Sequence, residues 1–362
     1  MVQRIYILVD KLSNSITIYH NHNLQKGTTM KKIAVLLVCI IAIVAILIGF
    51  EMFGKSDTQV TVEEVKQQLP APEFYKGIYL NSQSGRDINL LKNFISKAKD
   101  AGFNAVVIDV HNESNNKFLI PKENIDYVIS QGIYPIARVV MFPDGLKVYP
   151  IPDELIKGRL ELAKKACEIG FREIQFDYIR FNDYGILKHV PLEQRYKTIE
   201  GFLARAKTEL QPYNVKVACD VFGRIPLNTN DTIGQRMEGL DQVVDVICPM
   251  AYPSHYTWSK KLMADPYYTV FITGKRAKER TKNAQIVMYI QAFKIRVAMS
   301  GLSFQEYMAK QIQAVHDAGV KGFIWWNAAQ QYDEPFAVTR QFYTNFKEQS
   351  ISKADNSKKE AI

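Results

Sequence analysis

The segment 174–181 reads Ile-Gln-Phe-Asp-Tyr-Ile-Arg-Phe, the pattern of a buried strand that runs directly into the charged residue Asp177. An ionised carboxylate at the end of an apolar strand is costly unless it is hydrogen-bonded, paired or used in chemistry. The segment 215–223, Val-Lys-Val-Ala-Cys-Asp-Val-Phe-Gly, repeats this pattern further along the chain with Asp220. Two such strands in succession predict a functional site at the carboxyl edge of a parallel sheet.

From Lys76 onward, short apolar runs alternate with amphipathic stretches, which predicts repeated strand–helix units around a parallel sheet. The predicted strands are 77–80, 105–110, 134–140, 173–178, 215–220, 244–250, 285–291 and 322–326. The predicted helices are 88–101, 122–131, 153–169, 192–210, 233–243, 266–282, 304–318 and 335–347. Eight such units predict an α/β fold, a (β/α)8 TIM-type barrel over 74–348. A doubly wound open sheet is the alternative, but no GxGxxG or GxxxxGK[ST] motif supports it.

Residues 33–50 form an unbroken apolar run without charge, which is just long enough to cross a membrane. No convincing Ala-x-Ala cleavage site follows, so an uncleaved transmembrane signal anchor is favoured over a cleaved signal that would release a secreted protein. Lys31 and Lys32 precede the run, so the positive-inside rule keeps residues 1–32 in the cytoplasm and exports the rest. Because Met30-Lys31-Lys32 is typical of the start of an export signal, residues 1–29 are alternatively a start-site artefact.

The sequence therefore predicts a single-pass protein of the bacterial cell membrane, with an extracellular barrel in the cell envelope. A polar stalk is predicted over 51–73 and a disordered tail over 349–362. The net charge of +9 is compatible with an anionic wall or lipid surface, and equally with the ordinary surface of a secreted protein. No aromatic-and-basic motif indicates a nucleic-acid partner, and the oligomeric state stays open.

The cysteines and histidines do not have the spacing of a metal site. Cys167, Cys219 and Cys248 lie in apolar stretches without CxxC spacing, which favours buried hydrophobic residues over ligands or disulfides. His111 and His255 lack the nearby histidine of HExxH or HxH motifs. We therefore expect neither a metal nor another cofactor.

All strand ends of a barrel converge on one mouth, so the residues there are the candidates for a binding site. These substrate-binding candidates are Tyr79, Arg138, Tyr178, Arg180, Tyr252, His255, Gln291, Trp325, Trp326 and Asn327. Amides, arginines and aromatic rings suit a polysaccharide or oligosaccharide, whose hydroxyls need polar partners and whose ring faces stack on tryptophan or tyrosine. Because a strand alternates faces, only one of Trp325 and Trp326 can face the mouth.

Glycoside hydrolysis ordinarily needs two carboxyl groups, one that protonates the leaving oxygen and one that acts as nucleophile or base. Asp177 and Asp220 end neighbouring predicted strands, whose axes lie about 4.8 Å apart, and are the predicted catalytic pair. In the non-catalytic alternative, Asp177 pairs with Arg138 or Arg180 and Asp220 caps the loop that follows it.

Six segments together resemble a bacterial family of glycoside hydrolase barrels that is distantly similar to the α-amylase-like glycosidases. The segments are 76–80 (Lys-Gly-Ile-Tyr-Leu), 105–110 (Ala-Val-Val-Ile-Asp-Val), 176–181 (Phe-Asp-Tyr-Ile-Arg-Phe), 220–223 (Asp-Val-Phe-Gly), 248–256 (Cys-Pro-Met-Ala-Tyr-Pro-Ser-His-Tyr) and 289–293 (Tyr-Ile-Gln-Ala-Phe). The resemblance covers about 75–346 and implies a TIM-type barrel in which Asp177 is the nucleophile and Arg180 supports it.

The chain departs from the amylase-like pattern, which has a glutamate acid after the fifth strand and an aspartate after the seventh. Here those positions hold Asp220 and Gln291, so Asp109 and Glu113 are alternative acids. The prediction is a membrane-anchored glycosidase that acts on a cell-wall or extracellular polysaccharide. The alternative is a non-catalytic carbohydrate-binding barrel that scaffolds envelope components.

Overall fold

The computed structural model describes residues 69–112 and 116–360, with side chains up to Phe346. No helix within these residues is long and apolar enough to cross a membrane. The predicted anchor over 33–50 and the segments 1–32 and 51–68 lie outside the described residues, as does Glu113. Their predictions are therefore untested.

The described strands form one parallel sheet that closes on itself. They are β1 (Tyr75–Leu80), β2 (Ala105–Asp109), β3 (Tyr134–Val140), β4 (Glu173–Asp177), β5 (Lys216–Phe222), β6 (Val246–Met250), β7 (Gln285–Ile286), β8 (Met288–Gln291) and β9 (Gly322–Trp326). Strand β1 pairs with β2 and β9, and the pairing of β5 with β6 closes the ring. Strands β7 and β8 together occupy one position beside β6. The (β/α)8 barrel is thus confirmed, and the open-sheet alternative is wrong.

Helices follow the strands around the outside of the barrel. They are α1 (Ser82–Arg86), α2 (Ile88–Asp100), α3 (Lys122–Ser130), α4 (Asp153–Glu168), α5 (Leu192–Leu210), α6 (Met237–Val243), α7 (Lys260–Ala264), α8 (Pro266–Glu279), α9 (Phe304–Asp317) and α10 (Asp333–Glu360). The predicted tail over 349–362 overlaps the end of α10 and stays a prediction.

Helix α6 begins at Met237, four residues later than predicted, because the loop before it is bound to the barrel by a side chain. Gln235 is buried, and its Nε2 donates hydrogen bonds to the carbonyls of Ile179 and Asp220 at 3.2 and 3.0 Å. Its Oε1 accepts from the backbone N–H of Phe222 at 3.1 Å. These bonds fix an irregular loop at the end of β5, next to Asp220.

Side chains of alternate strand residues fill two separate cores. Val107, Ile136, Ala218, Cys248 and Ile324 lie in the core inside the barrel. Val106, Ala137, Ile174, Cys219 and Phe323 lie in the core between the strands and the helices. Cys167, Cys219 and Cys248 are buried and free, as predicted.

The inner core continues upward into a polar layer at the carboxyl ends of the strands. Asp109 lies two residues after Val107, Arg138 two after Ile136, and Asp220 two after Ala218. Since side chains alternate with period two, these polar residues face the same side as the inner apolar ones. The alternation therefore carries carboxylates and a guanidinium to the mouth of the barrel.

Candidate active site

A cavity of about 310 Å³ opens at this mouth. It is lined by Arg138, Asp177, Tyr178, Arg180, Asp220, Phe222, Gly223, Arg224, Met250, Tyr252, His255, Tyr256, Trp258, Tyr289 and Trp326. Both predicted catalytic residues are among them, together with six of the ten predicted substrate-binding residues.

Arg138 is buried in the floor of the cavity and joins two carboxylates. Its Nε and Nη2 donate to Oδ2 of Asp177 at 2.9 and 2.6 Å, and its Nη1 donates to Oδ1 of Asp109 at 2.5 Å. Although burial opposes the charge of Arg138, Asp109 and Asp177 raise the pKa of its guanidinium well above the usual value. Asp177 therefore pairs with Arg138, one of the two partners expected under the non-catalytic alternative.

Asp177 is also hydrogen-bonded by its own chain. Its Oδ1 accepts from the backbone N–H of Tyr178 at 2.5 Å. Tyr178 has a φ of 52°, in the left-handed region that residues other than glycine rarely adopt. The strand thus ends in a disfavoured turn at the point where its carboxylate is oriented.

Asp220 has different surroundings, because a chain of neutral hydrogen bonds reaches it from inside the barrel. The hydroxyl of Tyr289 donates to Oε1 of Gln175 at 2.9 Å, and Nε2 of Gln175 donates to Oδ1 of Asp220 at 2.6 Å. All three side chains are buried. Gln175 thereby occupies one oxygen of Asp220 and leaves the other as the place for a proton.

The carboxyl group of Asp220 is buried and lies close enough to that of Asp177 to be affected by its charge. Burial, and then the charge of Asp177, raise the pKa of Asp220 well above its usual range, although Arg138 and Gln175 act in the opposite direction. Asp220 therefore keeps its proton to a higher pH than an exposed aspartate does, whereas Asp177 is paired with Arg138. The alternative in which Asp220 caps a loop is wrong, because its carboxyl group faces Gln175 and Asp177.

Two carboxyl groups with different surroundings thus lie in one cavity wall, and we call Asp177 and Asp220 the dyad. Retaining glycosidases hold their two carboxyl groups about 5–5.5 Å apart, and inverting enzymes about 6.5–9.5 Å apart.

The two neighbouring tryptophans face opposite sides of β9, as predicted. Trp326 lines the cavity and packs on Tyr79, with 4.1 Å between ring centroids. Trp325 is fully buried on the other side, where its Nε1 donates to Oγ1 of Thr339 at 3.0 Å. Of this pair, only Trp326 can contact a ligand in the cavity.

Three further predicted residues support the mouth from behind. The hydroxyl of Tyr79 donates to Oδ2 of Asp109. Gln291 is fully buried and donates to the carbonyls of Phe293 and Ile295 at 2.8 and 2.9 Å. Asn327 donates to the carbonyl of Ala292 at 2.6 Å. These side chains are used by the protein itself and do not line the cavity.

Of the two histidines, only His255 reaches the cavity. Its Nδ1 lies 2.9 Å from Oγ of Ser254, and burial, followed by the charge of Arg296, lowers its pKa. His111 is buried beside the site, where its Nε2 accepts from the backbone N–H of Val140 at 3.0 Å. Burial and the charge of Arg159 lower the pKa of His111 to about 4. Both imidazoles are neutral at neutral pH.

Several lining residues were not predicted, namely Phe222, Gly223, Arg224, Tyr256, Trp258 and Tyr289. Gly223 is required by close packing, since a Cβ there would lie 2.2 Å from the hydroxyl of Tyr256. Trp258 is 58% exposed at the rim. Gln175 and Tyr289 were accessible to sequence reasoning, because they occupy inward positions of β4 and β8.

Solved structures with the same fold include several carbohydrate-active proteins. The PgaB (BpsB) glycoside hydrolase domain from Bordetella bronchiseptica is 10% identical, with a TM-score of 0.54 over 73% of this chain and 98% of that one. A chitinase from Chromobacterium violaceum ATCC 12472 is 15% identical, with a TM-score of 0.54 over 75% and 99%. An endo-β-1,4-mannanase from Thermotoga petrophila is 13% identical, with a TM-score of 0.57 over 77% and 78%. At these identities the similarity establishes the fold alone.

No curated protein matches the chain in sequence. One family profile does match, over residues 148–332, which is just over half of the 362 residues. The matched region contains Asp177, Asp220, Gln175 and Tyr289. Arg138 lies outside it, ten residues before its first residue. The chain therefore belongs to the family described as "Putative glycosyl hydrolase domain".

Proposed function

We propose that this protein hydrolyses glycosidic bonds of a cell-wall or extracellular polysaccharide, with Asp220 as general acid and Asp177 as nucleophile or base. The observation that carries this proposal is the dyad in the cavity, in which burial raises the pKa of Asp220 and Asp177 is paired with Arg138. Two acids with such different surroundings have the division of roles that acid–base catalysis requires. Membership of the glycosyl hydrolase family supports the same reaction class.

Asp220 protonates the leaving group in this proposal. The glycosidic oxygen takes the proton of Asp220 as the bond to the sugar breaks. Asp177 stays in place, because Arg138 and the N–H of Tyr178 hold both its oxygens. The separation reached in the complex determines the stereochemistry, about 5 Å for retention and beyond about 6.5 Å for inversion.

Aromatic rings supply the second part of the proposal. Trp326, Tyr252 and Trp258 line the cavity, and Trp258 is exposed at its rim. Rings of this kind stack on the apolar faces of sugars, and a polar handle on each ring can bond to hydroxyls. The cavity is therefore suited to hold a sugar unit over the dyad.

The rival function is a non-catalytic carbohydrate-binding barrel that scaffolds envelope components. The ion pair of Asp177 with the buried Arg138 favours it, because a carboxylate held in this way can have a purely structural role. The kinship with α-amylase-like glycosidases stays a prediction, since the expected glutamate after the fifth strand is absent from β5.

Hydrolysis of a glycan panel by the purified full-length chain decides between these functions. The panel contains cell-wall glycan, chitin, mannan and exopolysaccharides, and the readout is the release of reducing ends. We expect hydrolysis of at least one glycan, and a loss of about 10²-fold or more in Asp177→Asn and Asp220→Asn. Binding of a glycan without release of reducing ends supports the scaffold, and equal hydrolysis by wild type and both variants refutes the dyad mechanism.

We also propose that residues 33–50 anchor the protein in the membrane with the barrel outside the cell. The apolar, uncharged sequence of this run and the lysines before it support this topology. Membrane fractionation combined with protease treatment of intact cells tests it. Recovery of the full-length chain in the cytosol, protected from the protease, contradicts it.

A further inference from the structure

Arg180 lies in the cavity wall with most of its hydrogen-bonding capacity unused. The residue is 9% exposed, and its Nη1 donates to the carbonyl of Phe181 at 3.2 Å. Its Nε is buried and has no acceptor, and no described residue accepts a hydrogen bond from Nη2. The guanidinium is held between rings, 4.7 Å from the centroid of Phe222 and 5.5 Å from that of Tyr178. The rings fix its orientation but leave its donors free.

The other two arginines of the cavity are neutralised by carboxylates. Arg138 pairs with Asp109 and Asp177. Arg224 pairs with Asp231 at 2.8 Å and with Asp183 at 3.0 Å. Among the residues that the structure describes, none forms an ion pair with Arg180. It is the cavity arginine whose charge the protein does not balance.

The different surroundings of these arginines affect their protonation in opposite directions. Burial lowers the pKa of Arg180, and the charge of Asp183 only partly offsets this. For Arg224 burial also acts against the charge, but Asp231 and Asp183 raise its pKa overall. Asp183 affects both arginines and is bonded to Arg224. The charge of Arg180 is therefore present at a net cost to the unliganded protein.

A ligand with a negative group would remove that cost. A guanidinium is planar, and its two terminal nitrogens match two oxygens of a carboxylate, sulfate or phosphate. A neutral sugar hydroxyl can accept one hydrogen bond but cannot balance the charge. The chain as a whole carries a net charge of +9, which favours the approach of a polyanion.

We propose that the cavity takes an acidic glycan, and that Arg180 binds an oxyanion substituent of the sugar through the donors that the protein leaves unused. The identification of the ligand as a glycan rests on the proposed function, whereas its negative charge rests on Arg180. Since Arg180 and Asp177 line the same cavity, the acidic group would belong to a sugar at or next to the bond that is cleaved.

Matched sugars that differ only in charge test this proposal. Titration calorimetry of the purified full-length chain compares glucose with glucuronate, glucose 6-sulfate and glucose 6-phosphate. We expect at least one acidic sugar to bind 10-fold or more tightly than glucose. The three acids distinguish a carboxylate from a sulfate or a phosphate as the preferred group.

The variants Arg180→Gln, Arg180→Met and Arg180→Lys then show whether this residue provides the selectivity. We expect Gln and Met to remove the preference over glucose and Lys to restore part of it. Because Met keeps the apolar stem between the rings, it controls for a loss of packing. Arg276→Gln is the matched control, since Arg276 is exposed and pairs with Glu279 on α8. It should bind all four sugars like the wild type.

Equal affinity of wild type for glucose and all three acidic sugars overturns the proposal. An acid preference that persists in both Arg180→Gln and Arg180→Met overturns it as well, provided that near-UV circular dichroism shows the variants to be folded. The proposed function fails separately: acid-selective binding with no hydrolysis of any glycan refutes catalysis and leaves the anion site standing. Hydrolysis of a glycan without any preference for acidic sugars supports catalysis and refutes the anion site.

Discussion

Replacement of Asp220 by asparagine separates the chemistry of the dyad from its structure. Asparagine has the shape of a protonated aspartate, so its Oδ1 can accept from Gln175. The hydrogen bond from Gln175 is therefore kept, while the transferable proton is lost. General acid catalysis contributes about 10²–10⁴-fold, so we expect kcat to fall by that factor, about 3–5 kcal/mol in the barrier.

The same variant should be more stable than the wild type at high pH. The pKa of Asp220 is raised in the folded state, so its contribution to stability is complete below the pKa of the unfolded chain, about 3.9. That contribution falls by about 1.36 kcal/mol for each pH unit between this value and the pKa of the folded state. Asparagine does not titrate, so the difference in unfolding free energy between variant and wild type should grow in favour of the variant.

Urea unfolding followed by tryptophan fluorescence at pH 5 and pH 8 measures this difference, beside a reducing-end assay for activity. The matched variant is Asp177→Asn, which leaves Arg138 with only one carboxylate partner and should be destabilised at both pH values. If the difference in unfolding free energy between Asp220→Asn and wild type is the same at pH 5 and pH 8, the pKa of Asp220 is not raised into this range in the folded protein. If it keeps full hydrolysis of a confirmed substrate, Asp220 is not the general acid.

Three other changes give distinct outcomes. Gln175→Leu removes a hydrogen bond that lowers the pKa of Asp220, so this pKa should rise further. We expect kcat to fall about 10-fold and the alkaline limb of the pH–rate profile to move to higher pH. An alkaline limb that does not move contradicts this. Trp258→Ala removes an exposed ring from the rim, so KM should rise about 5–10-fold with kcat unchanged, as initial-rate kinetics would measure. His111 has a folded-state pKa of about 4, below the unfolded value of about 6.5, so stability should be lost as pH falls through this window, by about 3 kcal/mol. His111→Gln should remove most of that pH dependence in urea unfolding, and an unchanged dependence contradicts the assignment.

The strands were predictable because their signals are local. The predicted boundaries of β3 and β9 agree with the structure at both ends, and the other strands agree to within two residues. Alternation of inward and outward residues also placed Asp177 and Asp220 correctly at one edge. The interruption between β7 and β8 was not predicted, since Val287 is as apolar as its neighbours and only pairing with β6 differs there.

The composition of the site was predicted only in part. Nothing in the sequence distinguishes Gln291, whose amide donates to carbonyls of the loop at 293–295, from Trp326, which faces the cavity. The sequence also does not distinguish Arg138, which forms an ion pair with Asp177, from Arg180, which forms no ion pair with a described residue. These differences depend on atoms contributed by several distant segments, and a single sequence does not contain their distances.

The sequence by itself determined the barrel and showed which edge of the sheet holds the polar residues. The spacing of apolar residues and the positions of charged ones are properties of the linear sequence. Only the tertiary structure decided that Asp177 is held by Arg138, that burial and the charge of Asp177 raise the pKa of Asp220, and that Arg180 keeps free donors. The physical reason is that protonation and pairing depend on burial and on separations of a few ångströms, which arise only when strands far apart in sequence close into one ring.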